Sequence, residues 1–130
     1  AVDLDGLTIT DDGANSFVIA GPLPVAPGQY VILGRSAEAA GGRVDYVYGS
    51  AMSLNNSADR IIVRRGTTVI DEVAYDSRSF PIEAGKATVL AANRQDPLAN
   101  DDGSLWCASS QPMAGGDSGS PGGPATDCSR

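Results

Sequence analysis

Arg60-Ile61-Ile62-Val63-Arg64, then Arg65-Gly66-Thr67, then Thr68-Val69-Ile70-Asp71-Glu72-Val73-Ala74-Tyr75 is the stretch on which the fold class turns. Both flanking runs are rich in β-branched residues, whose stiff side chains suit a pleated strand better than a helix. Between them Gly66 supplies the positive φ that a tight turn needs. The stretch therefore reads as a β-hairpin.

Runs of the same kind recur along the chain at Val2 to Ile9, Phe17 to Ala20, Tyr30 to Leu33, Val44 to Tyr48, Ala87 to Ala91 and Leu105 to Cys107. Turn formers separate them: Asp11-Asp12-Gly13, Gly21-Pro22, Pro27-Gly28, Gly41-Gly42, Leu54 to Ala58, Ala84-Gly85 and Asp101-Asp102-Gly103. The 130 residues include 16 glycines and 8 prolines, a high share that matches frequent turns between short strands. Aromatics make up only 5%, so any core is built mainly from Val, Ile, Leu and Ala. No segment sustains an i, i+3, i+4, i+7 apolar pattern; the short Ala37 to Ala40 stretch is stopped by Gly41-Gly42. Seven or eight short strands at this spacing predict an all-β sandwich or small barrel.

Charge narrows the partners. With 16 acidic and 9 basic residues the formal net charge is −7, and the one basic cluster is Arg60, Arg64 and Arg65. A nucleic-acid backbone demands concentrated Lys and Arg, so it is not the expected partner. A single lysine, Lys86, and the lack of any apolar run near 18 residues give neither a polybasic anchor nor a helical span, so no membrane insertion is expected. The chain starts at Ala1 rather than Met, and a signal peptide removed upstream is the expectation.

Two cysteines, Cys107 and Cys128, enclose a Gly-, Ser- and Pro-rich segment with too little apolar content to pack by itself. Their disulfide would staple an irregular tail to the last strand and implies an oxidising compartment, extracellular or at the cell surface. Two free thiols are the alternative, and they would leave reactive groups in a loop. The expected organisation is a β-sandwich over residues 1–107 and a stapled tail over 108–130.

Several segments resemble lamin-tail domains. Val2-Asp3-Leu4-Asp5-Gly6-Leu7-Thr8-Ile9-Thr10-Asp11-Asp12-Gly13 is similar to that family's hydrophobic-Asp-Leu-Ser-Gly-Trp-Thr-Leu-Ser-Asp strand, with Asp5 and Leu7 departing from it. Pro27-Gly28-Gln29-Tyr30-Val31-Ile32-Leu33-Gly34-Arg35, Leu54-Asn55-Asn56-Ser57-Ala58-Asp59-Arg60-Ile61 and Val69-Ile70-Asp71-Glu72-Val73-Ala74-Tyr75 resemble later family segments in the right order. Phe80-Pro81, Gly85, Trp106 and Gly116-Asp117 to Pro121 continue the likeness. The resemblance implies an immunoglobulin-like β-sandwich, extracellular and without catalytic residues, in bacteria sometimes attached to secreted nucleases or other hydrolases. Family members begin with two further strands ahead of the point matched by Val2. The expectation is that upstream residues, or a strand donated in trans by a neighbouring copy or another subunit, fill that place; head-to-tail donation would propagate as a filament, and the alternative is that the chain closes its sandwich with fewer strands by using its own tail.

Gly116-Asp117-Ser118-Gly119-Ser120-Pro121 has the look of a serine-protease nucleophile loop, but Ser118 needs a base and the chain has no His. A Gly-rich turn is the expected reading. Asp96, Asp101 and Asp102 are the candidate calcium ligands, with Asn93 and Asn100 as extra oxygen donors, and Asp11-Asp12 forms a second acidic pair. Their spacing does not fit an EF-hand, and Asp-Asp-Gly is also an ordinary turn. Asn55-Asn56-Ser57 contains a sequon whose Asn55 is expected to bond locally. Trp106 is expected to pack rather than to stack on a ligand, and at least two of Tyr46, Tyr48 and Tyr75 likewise.

These readings converge on a non-catalytic extracellular binding or structural module acting through a protein partner or a neighbouring copy. The expected site set has no catalytic and no cofactor-binding residues, calcium being the one cofactor left open. An accessory substrate-binding domain of a secreted hydrolase or nuclease is the alternative.

Overall fold

The computed structural model describes residues 1–11 and 13–130. Strands account for 31% of the chain and there is almost no helix, so the protein is all-β. The described residues form ten strands: β1 Val2–Asp3, β2 Thr8–Thr10, β3 Ser16–Val18, β4 Pro24–Val25, β5 Leu33–Gly34, β6 Tyr46–Val47, β7 Ala58–Arg65, β8 Thr68–Asp76, β9 Thr88–Leu90 and β10 Trp106–Ala108. The hairpin expected around Gly66 is β7–β8, and Gly66 takes φ +62° at the turn. The chain divides into two compact units, residues 1–54 with 60–72, and residues 55–59 with 73–130.

In the first unit, β2 lies between β3 and β7 in a four-stranded sheet of order β3-β2-β7-β8. Antiparallel pairing sets Ile9 opposite Phe17 on one side and Val63 on the other. Directly opposed residues share a face, so these three side chains line up across the sheet. Leu7, Ile9, Ile19, Met52 and Ile62 are the buried apolar residues of this unit. The run expected as one strand over Val2 to Ile9 is two strands separated by a bend. Asp3 makes the bend: its Oδ1 accepts the Asp5 and Leu23 N–H groups at 2.9 Å each, and Gly6 follows at φ +85°. Both exposed ends of the Arg65 guanidinium then donate to the Asp3 and Asp5 carbonyls, at 2.9 and 3.2 Å. The freed β1 pairs with β4, Val2 with Val25 and Asp3 with Pro24, a two-residue pairing absent from the runs read in the sequence; proline, which lacks a donor, is confined to such edge positions.

Farther along this unit, β5 and β6 pair in parallel, Leu33 with Tyr46 and Gly34 with Val47. Gly34 is buried because the chain comes too close for a side chain: a Cβ there would stand 2.6 Å from Val44 Cγ2. The Ala37 to Ala40 stretch yields a single 3-10 turn, Ala39–Gly41, ended by Gly41 and Gly42 at φ +75° and +83°.

In the second unit, β9 pairs with β10, Cys107 facing Val89. Cys107 and Cys128 are disulfide-bonded, as their spacing predicts, and with Ala91 and Ala125 they form a small buried core against which Val89 packs. The Gly-, Ser- and Pro-rich segment is threaded by main-chain bonds on both sides. Ser118 N–H donates to the Gly85 carbonyl and its own carbonyl accepts Ala87 N–H, both at 2.8 Å; Gly119 N–H donates to Gln111 O at 2.8 Å. Phe80 is buried between Trp106, 5.8 Å away, and Tyr75, 6.5 Å away in edge-to-face contact. Between β9 and β10, two 3-10 turns, Ala99–Asp101 and Gly103–Leu105, occupy what the sequence marks as a turn.

Candidate functional site

The four-stranded sheet has two outer edges, and they differ. On β3 two main-chain groups find partners beyond the sheet: Ser16 N–H donates to Ala51 O at 3.2 Å and Val18 O accepts the Tyr46 hydroxyl at 3.2 Å; just past the strand, Ala20 N–H donates to that hydroxyl at 3.3 Å. Tyr46 is held there because its ring and that of Tyr48 stack on Phe17, at 5.9 and 5.0 Å between centroids. A loop carbonyl and one phenol thus cover part of this edge.

At the other side stands β8, the longest strand, whose one neighbour in the sheet is β7. Within the first unit it contributes Thr68 to Glu72. Val69 and Ile70 are 50% and 51% exposed, and consecutive strand residues point to opposite faces, so the strand is apolar on both faces at its open edge. Natural edges are usually blunted by charge, proline or a bulge, and Thr68-Val69-Ile70 carries neither charge nor proline. Charge enters at the far end. Asp71 Oδ1 accepts the Glu72 N–H at 2.8 Å, and Glu72 meets Arg60 at 3.4 Å. Arg64 and Arg65 sit at the turn end. The edge strand itself is therefore apolar at Val69 and Ile70 and acidic at Asp71 and Glu72, the arginines belonging to β7.

The candidate calcium ligands are placed as loop caps. Asp96 Oδ1 accepts Leu98 and Ala99 N–H at 2.9 and 2.7 Å, Asp102 Oδ1 accepts Ser104 N–H and Oγ–H at 2.9 and 2.7 Å, and Asp101 is exposed. Among the described residues no three acidic, His or Cys side chains converge where a metal would sit. In the other acidic pair, Asp11 takes the Gly13 N–H at 2.8 Å, and Asp12 lies outside the described residues. Ser118 lies beside Lys86 in a parallel bridge, but the Lys86 ammonium donates to Glu83 at 3.1 Å. Asn55 bonds through its main chain both locally and at long range: the Asp59 carboxylate, four residues on, accepts its N–H at 2.9 Å, and its carbonyl accepts the hydroxyl of Tyr75, 20 residues away, at 2.6 Å. Burial first, then the Asp59 charge, pushes the Tyr75 phenol up. The Trp106 indole N–H donates to Asn100 O at 3.0 Å. The polar handles of Tyr46, Tyr75 and Trp106 are thus all committed inside the protein.

Much of the acidic excess is structural in the same way. Asp3, Asp11, Asp76, Asp102 and Asp127 each accept hydrogen bonds from nearby N–H or hydroxyl donors, which stabilise the charged form and hold their carboxyls below the usual value of 3.8. For Asp127 the main cause is the Ser110 N–H at 2.7 Å, joined by the hydroxyl of fully buried Ser109. A depressed folded pKa contributes stability that is complete above the unfolded value and lost as pH falls through the folded one. The melting temperature should therefore hold steady above about pH 5 and fall below about pH 4. In Asp127→Asn the melting temperature should be lower at pH 7, with the gap to the parent narrowing as the pH drops below about 4. A gap independent of pH would show that the carboxylate's charge does not matter.

In comparison with known proteins, no family model, no curated protein and no solved structure matches the chain. The disulfide fits an oxidising compartment, and among the described residues no helix is long and apolar enough to cross a membrane.

Proposed function

We propose that the chain is a non-catalytic extracellular module of lamin-tail type, immunoglobulin-like in fold, which works through protein–protein contacts made by adding a strand to β8. The observation that carries this reading is the asymmetry of the sheet. One edge is partly covered through Ala51 and Tyr46, while the other presents Val69 and Ile70 half exposed beside a single paired neighbour. An extended segment laid along such an edge gains main-chain hydrogen bonds and apolar contact on both faces, which is how β-augmentation obtains affinity.

The test is a photo-reactive benzophenone amino acid placed at Ile70 in the secreted protein, with the same group at Val18 as control. The expected result is a protein adduct at Ile70 and none at Val18. Adducts with polysaccharide or nucleic acid would favour the accessory-domain reading, and no adduct at Ile70 would overturn the proposal.

A further inference from the structure

We infer that the hairpin tip at residues 113–117 is a processing site. An extracellular endoprotease with a small apolar specificity pocket cuts the bond between Ala114 and Gly115, and the Cys107–Cys128 disulfide keeps the product in one covalent piece. Pairing of Pro112 with Ser118 closes this hairpin, and the Met113 N–H donates to Asp117 O at 2.9 Å. Beyond that rung the tip is loosely made. Gly116 N–H reaches Met113 O at 3.4 Å, outside the usual range for such a bond, and a Cβ built at Gly115 or Gly116 would meet nothing within 4 Å. Ala114, Gly115, Gly116 and Asp117 are all exposed. Exposed tips of small residues are the preferred sites of nicking, and they must open locally to be cut. Here opening breaks one long hydrogen bond, and the two glycines reach an extended form without strain.

Carboxylates pin several other loops. Asp3 and Asp5 accept the Leu23 and Gly21 N–H groups at 2.9 and 3.0 Å, Asp76 accepts those of Arg78 and Ser79, and Asp96 and Asp102 cap their own turns. In the 35–43 segment Ala39 lies against Gly34, 3.2 Å from a Cβ built there. Residues 120–124 are stiffened by Pro121 and Pro124, and Gly122 and Gly123 between them offer no side chain to a specificity pocket. Within the tip, the side chains choose the bond. Met113 is half-buried with its sulfur against Gly119, 3.1 Å from a Cβ built there, so Ala114 is the apolar side chain presented outward. Hydrolysis adds water across the C–N bond and leaves a carboxylate on Ala114 and an ammonium on Gly115.

Both flanks of the cut stay tied. Ser118 is bonded to Gly85 and Ala87, Gly119 to Gln111, and Ser109 and Ser110 donate to Asp127. The disulfide brackets the cut, one cysteine on each side, so the staple has a second role: it retains residues 115–130 on a processed chain.

Limited digestion of the purified chain with elastase tests this. The expected first product is one water heavier than the parent without reduction, separates into residues 1–114 and 115–130 on reduction, and keeps a cooperative melt. Gly115 has φ +99° and Gly116 N–H points back to Met113 O, the pattern of a type II turn, whose second position suits proline. Ala114→Pro should therefore fold like the parent and be cut at least about tenfold more slowly. First cleavage at any other bond overturns the inference. So do resistance of the folded chain to elastase, equal cutting of Ala114→Pro, or a nicked product that no longer melts cooperatively.

Discussion

Gly103→Ala is expected to destabilise the second unit by about 3 kcal/mol or more, although it adds a single methyl group. Gly103 is buried, and a Cβ there would overlap the Ser79 carbonyl, standing 2.6 Å from the Ser79 carbonyl carbon and 2.9 Å from Phe80 Cδ1. Main chain cannot swing aside as a flexible side chain can, so either the Phe80 contact with Trp106 or the 3-10 turn at Gly103–Leu105 must give way. The φ of Gly103 is not in the left-handed region, so alanine meets no conformational penalty of its own and the effect is purely steric. Gly123 provides the control: its φ is likewise ordinary, and nothing lies within 4 Å of a Cβ built there. Gly123→Ala should change stability by less than about 0.5 kcal/mol. Urea unfolding of the two variants against the parent measures both, and equal effects would refute the steric account.

The hairpin shows how far local sequence reaches. Its runs of β-branched residues and Gly66 are local signals, and β7 and β8 stand within a residue or two of the runs they predict. The β9 strand was legible for the same reason, through Thr88 and Val89. Val2 to Ile9 was not, because what divides it is a carboxylate, Asp3, reaching main-chain N–H groups both two and twenty residues away. Tyr30 to Leu33 shrinks to Leu33–Gly34, where Gly34 must lie against Val44. Such contacts are non-local, and no window of sequence contains them.

The candidate site was legible in part. The adjacency of Val69 and Ile70 breaks the apolar–polar alternation of a strand with one wet face, and this signal lies in the sequence itself. What the sequence withholds is that β8 ends the sheet, since that depends on which strands pair with β2 and β7. The acidic residues are ambiguous by type. Asp96 and Asp102 read as metal ligands by type, and Oδ1 of each accepts N–H groups two or three residues onward, the ordinary work of Asp in turns.

Removing the disulfide is the second large perturbation, and Cys107→Ser with Cys128→Ser should lower stability by about 3 kcal/mol. The cross-link spans 21 residues, and releasing it restores to the unfolded chain the loop-closure entropy on which that magnitude rests. A native-state term adds to it. Both sulfurs lie among Ala91, Ala125 and Val89, side chains too small to close over a gap, and two hydroxyls would stand in an apolar cluster. The damage should spread unevenly. Residues 109–119 keep main-chain bonds to Gly85 and Ala87, so Ser118 and Gly119 should retain slow amide exchange, whereas Ala92 N–H, bonded to Cys128 O at 3.2 Å, should lose protection first. Hydrogen exchange on the double variant resolves this order residue by residue. Uniform loss of protection from Gly85 to Arg130 would mean that the staple, rather than strand pairing, organises the whole segment.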